Sequence, residues 1–220
     1  PLAAAFILQD GSGPRRFAIV YERPLGGRLS EASPMNEREV MQRVIPPLLE
    51  ALEAFAARGL THRSIRLDNI FFLDRDRKVP VFGDCLSEPP GAGQPSIYEP
   101  VERATAIPEG RGEGNSAVDL YAFGVTLAGL IRGIDPASIE DNVSARVLHG
   151  SYGLLVGRNR FSPAIESLLY GLLNDEPVLR WNMEAVRRWR SGVLEPPRQA
   201  MGERAVARPL TFRGKEWRYP

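Results

Sequence analysis

The sequence predicts an α+β fold, mostly α, with a small β-hairpin at its N-terminal end. Three observations carry that prediction. Two runs rich in β-branched and aromatic residues flank a dense turn signal within the first 21 residues. Apolar residues at helical spacing recur from Asn36 to Arg190, with capping residues at the ends of the runs. The composition is 43% hydrophobic and 25% charged over 220 residues, ordinary for a globular chain able to bury a substantial core. We divide the chain into residues 1–29, a hairpin and the segment after it; residues 30–192, a helical body; and residues 193–220, an extended tail or linker.

In order, Ala4-Ala5-Phe6-Ile7-Leu8 and Arg16-Phe17-Ala18-Ile19-Val20-Tyr21 are strands joined across Asp10-Gly11-Ser12-Gly13-Pro14. Asn36 is placed to cap a helix reaching residue 58, with Glu37 and Glu39 in its first turn, where carboxylates favour the helix dipole. Leu48, Leu49, Leu52, Phe55 and Ala56 form its apolar face and Gly59 its end, while Pro46-Pro47 should kink or split it. Residues 70–73 and 78–82 read as a second, shorter hairpin turning at Asp74-Arg75-Asp76-Arg77. Residues 88–100 hold enough proline and glycine to predict an irregular loop.

The run from Ser116 to Leu127 is apolar all round, as in a helix buried at the centre of a domain. Asp135 and Pro136 predict a helix from there to about His149. Ser162 and Pro163 predict another, capped by Ser162, to about Leu173. A last helix over about 182–191 places Met183, Val186 and Trp189 on one face. From Val193 the pattern breaks. Arg187, Arg188, Arg190, Arg198, Arg204 and Arg208 make that end basic, which reads as a solvated face, and Trp217 and Tyr219 are of the type that anchors interfaces. The chain starts at Pro1 without Met and stops at Pro220, so it is expected to be a piece of a longer polypeptide.

The 28 basic and 27 acidic residues nearly cancel, which gives no reason to expect nucleic acid or an anionic membrane as partner. One cysteine, Cys85, allows no internal disulfide and no Cys-rich metal site, and His62 and His149 are too few for a histidine cluster. No apolar run is long enough to cross a bilayer, and no signal peptide is evident, so the expected location is cytoplasmic.

The stretch with most chemistry is Thr61-His62-Arg63-Ser64-Ile65-Arg66-Leu67-Asp68-Asn69-Ile70-Phe71-Phe72. It resembles the catalytic loop of the protein kinase family, H-R-D-x-x-x-x-N, in its full spacing. Other stretches are similar to that family's landmarks in the family's order. Tyr21-Glu22-Arg23-Pro24-Leu25-Gly26-Gly27-Arg28-Leu29 resembles the hinge, and Gly83-Asp84-Cys85-Leu86 the D-F-G region. Tyr98 to Glu102 loosely resembles A-P-E, Asp119 to Leu127 the D-x-W-S-x-G-V-x-L helix, and Asn174 to Trp181 the D-P-x-x-R segment. The resemblance covers about residues 4–191. It implies a protein-kinase-like C-lobe with a β-hairpin remnant of the N-lobe, since no Gly-rich loop, lysine or partner glutamate precedes the hinge.

Residue by residue, the resemblance puts Ser64 where the family has its catalytic Asp, and a hydroxyl neutral near pH 7 is no general base. Arg66 stands for the loop Lys. Asn69 and Asp84 fall on the magnesium-ligand positions. Glu22, Pro24, Arg28 and Phe71 fall on degenerate nucleotide-contacting positions: Pro24 lacks the N–H that donates to the adenine ring, and Arg28 replaces an acidic residue that often meets the ribose. His62, Arg63 and Asp119 are architectural, with Asp119 accepting from loop N–H groups, and Glu102 and Arg180 form a buried ion pair. Leu86 takes the place of a mobile glycine. The implied function is that of a catalytically inactive pseudokinase, not an enzyme and without cofactor. It would bind a protein partner or a neighbouring domain as a scaffold or allosteric regulator in signalling. The alternative is an atypical kinase or nucleotide switch using Asp84 and Asn69 with ATP and magnesium, its base relocated to a residue such as Asp68.

Overall fold

The two N-terminal runs pair as antiparallel strands in the computed structural model, which describes residues 2–9 and 11–193. Strand β1 (Leu2–Leu8) lies against β2 (Arg16–Tyr21), with Phe6 opposite Ala18 and Leu8 opposite Arg16. Asp10 of the predicted turn lies outside the described residues, as do the tail residues from 194 on, Arg198, Arg204, Arg208, Trp217 and Tyr219 among them. Ile7, Leu8 and Phe17 stay exposed on the hairpin. The segment after it is fixed by backbone bonds to the second hairpin: Leu25 and Gly26 donate to Leu73 and Phe72 carbonyls at 3.0 and 2.9 Å, and Phe72 donates to Gly27.

Asn36 caps α1 (Glu37–Glu39) by accepting from the Glu39 N–H at 2.9 Å, and its own amide returns a bond to the Glu39 carboxylate at 2.7 Å. A wide π turn (Val40–Val44) follows, and then α2 (Ile45–Ala56). The kink predicted at Pro46-Pro47 is therefore a split. Both prolines sit in the first turn of α2, where an N–H has no intrahelical partner, and the wide turn before them makes room for their rings. Strands β3 (Ile70–Phe72) and β4 (Pro80–Phe82) close the second hairpin, with Phe71 opposite Val81.

After the irregular loop come α3 (Val101–Ala104) and α4 (Ser116–Arg132). Every residue of α4 from Val118 to Leu130 is buried, which explains its lack of a polar face, and Asn115 caps its first turn. Around it pack α2, α6 (Ser151–Val156), α7 (Pro163–Leu172) and α8 (Met183–Arg190), with α5 (Asn142–His149) set further out against the irregular loop.

Two predictions about helix ends are corrected here. The helix predicted from Asp135 to His149 is two pieces: Asp135 does cap, accepting from Ala137 N–H at 3.0 Å, but only a 3₁₀ turn follows (Pro136–Ser138). The break falls before Asp141, whose backbone is left-handed, and α5 is instead held by Arg146 and Asn142 on the carbonyl and hydroxyl of Ser96. Such long-range anchoring is invisible to local spacing. Ser162 makes no side-chain cap for α7; its N–H donates to Glu37 Oε2 at 2.7 Å, so α1 provides the acceptor.

A close approach between helix and indole falls at Gly171, where a methyl group would run into Cδ2, Cε2 and Cγ of Trp181. Trp181 is held there by its own N–H bond to the Gly171 carbonyl at 3.0 Å. Gly171→Ala should therefore lower stability by about 1–3 kcal/mol, the usual cost of overpacking. Urea unfolding measures it, and an unchanged midpoint would show that the indole has room to move.

Candidate active site

The site is built outward from Asp119, in the first turn of α4. Its carboxylate is 2% exposed and accepts the backbone N–H of His62 at 2.6 Å and of Arg63 at 2.9 Å. Arg63 holds a left-handed backbone, φ 57°, unusual for a residue with a side chain and sustained by these two bonds. Burial pushes the Asp119 carboxyl up to about 6, although the two N–H bonds and the Arg63 charge pull it down.

Arg63 in turn reaches the irregular loop. Its guanidinium donates to both oxygens of Glu99 at 2.9 and 3.0 Å and to the Gly112 carbonyl at 3.0 Å, with both members of the pair essentially out of solvent. Sequence reading missed this pair, because nothing local marks Glu99 as the partner of a residue 36 positions away. Arg180 and Glu102, expected to form a buried pair, are joined by two bonds of 2.7 and 3.0 Å, but only the arginine is buried; Glu102 is 40% exposed. The expectation is corrected to a half-exposed pair. The Arg180 guanidinium also lies 5.4 Å over the Tyr121 ring.

His62 is buried between the rings of Phe55 and Phe82, with Nδ1 accepting from the Ser64 N–H at 3.3 Å and Nε2 facing the Gly83 carbonyl at 3.4 Å. Burial lowers its pKa to about 4, so the ring is neutral near pH 7.

Beyond this frame the loop opens into a cavity of about 140 Å³, lined by Ser64, Arg66, Asn69, Asp84 and Ser87 among others. Ser64 Oγ accepts from Arg66 at 2.7 Å and from Asn69 Nδ2 at 3.1 Å. The same Nδ2 donates at 2.8 Å to the carbonyls of Ser64 and Asp84, so Asn69 ties the loop to the strand after it. The Asp84 carboxylate accepts from the Leu86 N–H (3.0 Å), the Ser87 N–H (3.2 Å) and the Tyr21 hydroxyl. Burial alone would raise its pKa, but the bonds from Ser87, Tyr21 and Leu86 outweigh that and hold it below the usual carboxylate range. Cys85 is half-buried, and its thiol is pushed up to about 11 by burial and then by Asp84 and Asp119, which keeps it protonated and unreactive near neutral pH.

The positions expected to contact nucleotide lie elsewhere. Glu22 and Arg28 are exposed, Pro24 is half-buried, and the Arg28 guanidinium sits 6.0 Å over the Phe71 ring; none of the four lines the cavity. Asp68 is 55% exposed and paired with Arg66 at 2.8 Å. It faces a second, larger groove of about 550 Å³ whose walls include Ser30, Ser33, Tyr98 and Asp135. Tyr21, read from the sequence as the end of a strand and the start of the hinge-like segment, reaches the cavity's carboxylate. Its place where the strand runs into the hinge-like segment was the available signal.

No family model matches the chain. Its curated relatives are protein kinases. CBL-interacting protein kinase 31 of Oryza sativa subsp. japonica is 29% identical over 195 residues, 85% of this chain and 41% of the relative. The putative cyclin-dependent kinase F-2 of the same plant is 30% identical over 132 residues, 58% of this chain and 38% of the relative. The human hormonally up-regulated neu tumor-associated kinase is 27% identical over 190 residues, 79% of this chain and 26% of the relative. The chain thus spans about two fifths of the rice kinases' length and about a quarter of the human one. At this low identity, it is related to protein kinases.

Two expectations are overturned by these relatives. A non-enzyme was expected from Ser64 and the missing upstream region, yet the relatives are kinases, that is, enzymes. The expectation of no cofactor falls with it, because kinase chemistry draws its phosphoryl group from ATP held with magnesium. The residues present fit such a group. An ionised Asp84 carboxylate and the Asn69 amide are hard oxygen donors of the kind magnesium takes. Among the described residues no cluster of three His, Cys, Asp or Glu could hold a metal unaided, so phosphate and water oxygens would complete the shell.

Two outcomes test this frame. Glu99→Ala leaves the Arg63 charge buried without its partner and should destabilise the fold by about 3–5 kcal/mol in urea unfolding; a loss below 1 kcal/mol would show that water reaches the guanidinium. For His62, the folded pKa of about 4 lies below the unfolded 6.5, so its contribution is full above pH 6.5 and is lost as pH falls from 6.5 to 4. Asp119, raised to about 6 from 3.8, acts in the opposite sense over much of that window. The difference between wild type and His62→Gln isolates the histidine: the variant's stability should fall less steeply below pH 6.5, and parallel pH curves would exclude a neutral buried ring.

Proposed function

We propose that the chain is the C-lobe-like part of a kinase-type phosphotransferase, with a hairpin in place of a full N-lobe. It holds a magnesium–nucleotide at Asp84 and Asn69 and passes phosphoryl to a hydroxyl on a protein lying in the adjoining groove. The observation that carries this reading is the ionised Asp84 carboxylate, set beside Asn69 at the cavity by a kinase-like loop. When bound, magnesium supplies neutralisation of phosphate charge. The chain's own residues orient and screen: Asn69 fixes the Asp84 backbone, and Arg66 brings a guanidinium to the cavity wall where the family places an ammonium.

Ser64 leaves the acceptor hydroxyl without a carboxylate base, and its Oγ is already engaged by Arg66 and Asn69. Phosphoryl transfer rests chiefly on positioning and electrostatic stabilisation, with little covalent chemistry for the protein to do. A general base is worth roughly 10²–10⁴-fold. The proposed activity is therefore slow transfer. The groove of about 550 Å³ beside the loop, walled by Ser30, Asp68, Tyr98 and Asp135, supports a polypeptide acceptor.

Labelled Mg-ATP incubated with the chain and a serine- and threonine-containing peptide library tests the reading. Slow transfer is expected from the wild type, none from Asp84→Asn, and a rise of roughly 10²–10⁴-fold in Ser64→Asp. Absence of transfer from both the wild type and Ser64→Asp would refute it.

A further inference from the structure

Asp84 and Glu88 bring carboxylates to the cavity, and Asp84, the one bonded through its backbone to Asn69, is already heavily used. A carboxylate offers about four lone-pair positions. Oδ1 takes the Leu86 N–H and the Tyr21 hydroxyl, so both of its positions are filled; Oδ2 takes the Ser87 N–H, and the Ser87 hydroxyl also bonds the carboxylate. The bonds from Leu86 and Ser87 come from the turn that follows Asp84 and shape the loop itself. The bond from Tyr21 is different. It arrives from the end of β2, 63 residues earlier, and couples the N-terminal hairpin to the cavity.

We infer that Tyr21 is a latch on the candidate cation site: its hydroxyl competes with a divalent cation for Asp84 Oδ1. The inference rests on the reading of Asp84 as a cation ligand. With the latch closed, the carboxylate is taken up by Tyr21 and by its own turn. With Tyr21 withdrawn, a position on Oδ1 becomes available, and the cation gains a carboxylate contact. The latch is carried by the end of β2, so a displacement of the hairpin would reach the cavity through one hydroxyl. Tyr21 is thus a regulating residue that sets how much cation and nucleotide the site holds. Its ring remains in place when only the hydroxyl is removed, which separates latching from packing.

Calorimetric titration of Mg-ATP into the 220-residue chain, its Tyr21→Phe variant and its Asp84→Asn variant tests the latch, with thermal unfolding of each as a check on folding. Tyr21→Phe is expected to bind roughly tenfold more tightly than wild type, the scale of one hydrogen bond to a charged group. Binding seen in Tyr21→Phe but absent from wild type would support the latch more strongly still. Equal affinities for wild type and Tyr21→Phe, with binding lost in Asp84→Asn, would overturn the latch and leave the cation site standing. No binding by folded wild type or folded Tyr21→Phe would overturn both.

Discussion

A buried carboxylate that accepts two consecutive backbone N–H groups is a demanding arrangement, and in this chain Asp119 is the point from which the rest hangs. It stands on a helix surrounded by apolar side chains, where an unpartnered charge would be very costly. The His62 and Arg63 amides relieve that cost, and in doing so they pin the 61–69 loop to the helix and hold Arg63 in its left-handed backbone. Arg63 then carries the constraint outward to Glu99 and the irregular loop. One carboxylate therefore links the buried central helix to the two segments that shape the cavity.

The same chain of contacts holds the cavity wall in its form. Ser64, Arg66, Asn69 and Asp84 are joined by hydrogen bonds among themselves, so the cavity wall does not depend on a carboxylate at position 64. What Asp84 contributes is a charge held ionised by its neighbours. The low-identity relation to protein kinases is what supports the cation-holding role proposed for that charge.

Much of this was legible in the sequence, where local chemistry writes its signal locally. The two hairpins, the cap at Asn36, the buried run from Val118 to Leu130 and the terminal helix with Met183 and Val186 inward all follow from spacing and turn residues. The misreadings share a different cause. The split before Asp141, the Glu37 acceptor for Ser162, the Arg63–Glu99 pair and the Tyr21–Asp84 bond each join residues far apart along the chain, and no periodicity announces them. The functional misreading had another origin: the absence of a base was taken as absence of chemistry, although positioning and charge carry most of phosphoryl transfer.

Amide hydrogen exchange, with and without Mg-ATP, addresses the whole account in one measurement. His62 and Arg63 should exchange among the slowest amides of the chain in either condition, and added Mg-ATP should slow exchange in residues 64–69 and 84–87 while leaving α7 and α8 unchanged. Rapid exchange at His62 and Arg63, or nucleotide protection that misses residues 84–87, would contradict it.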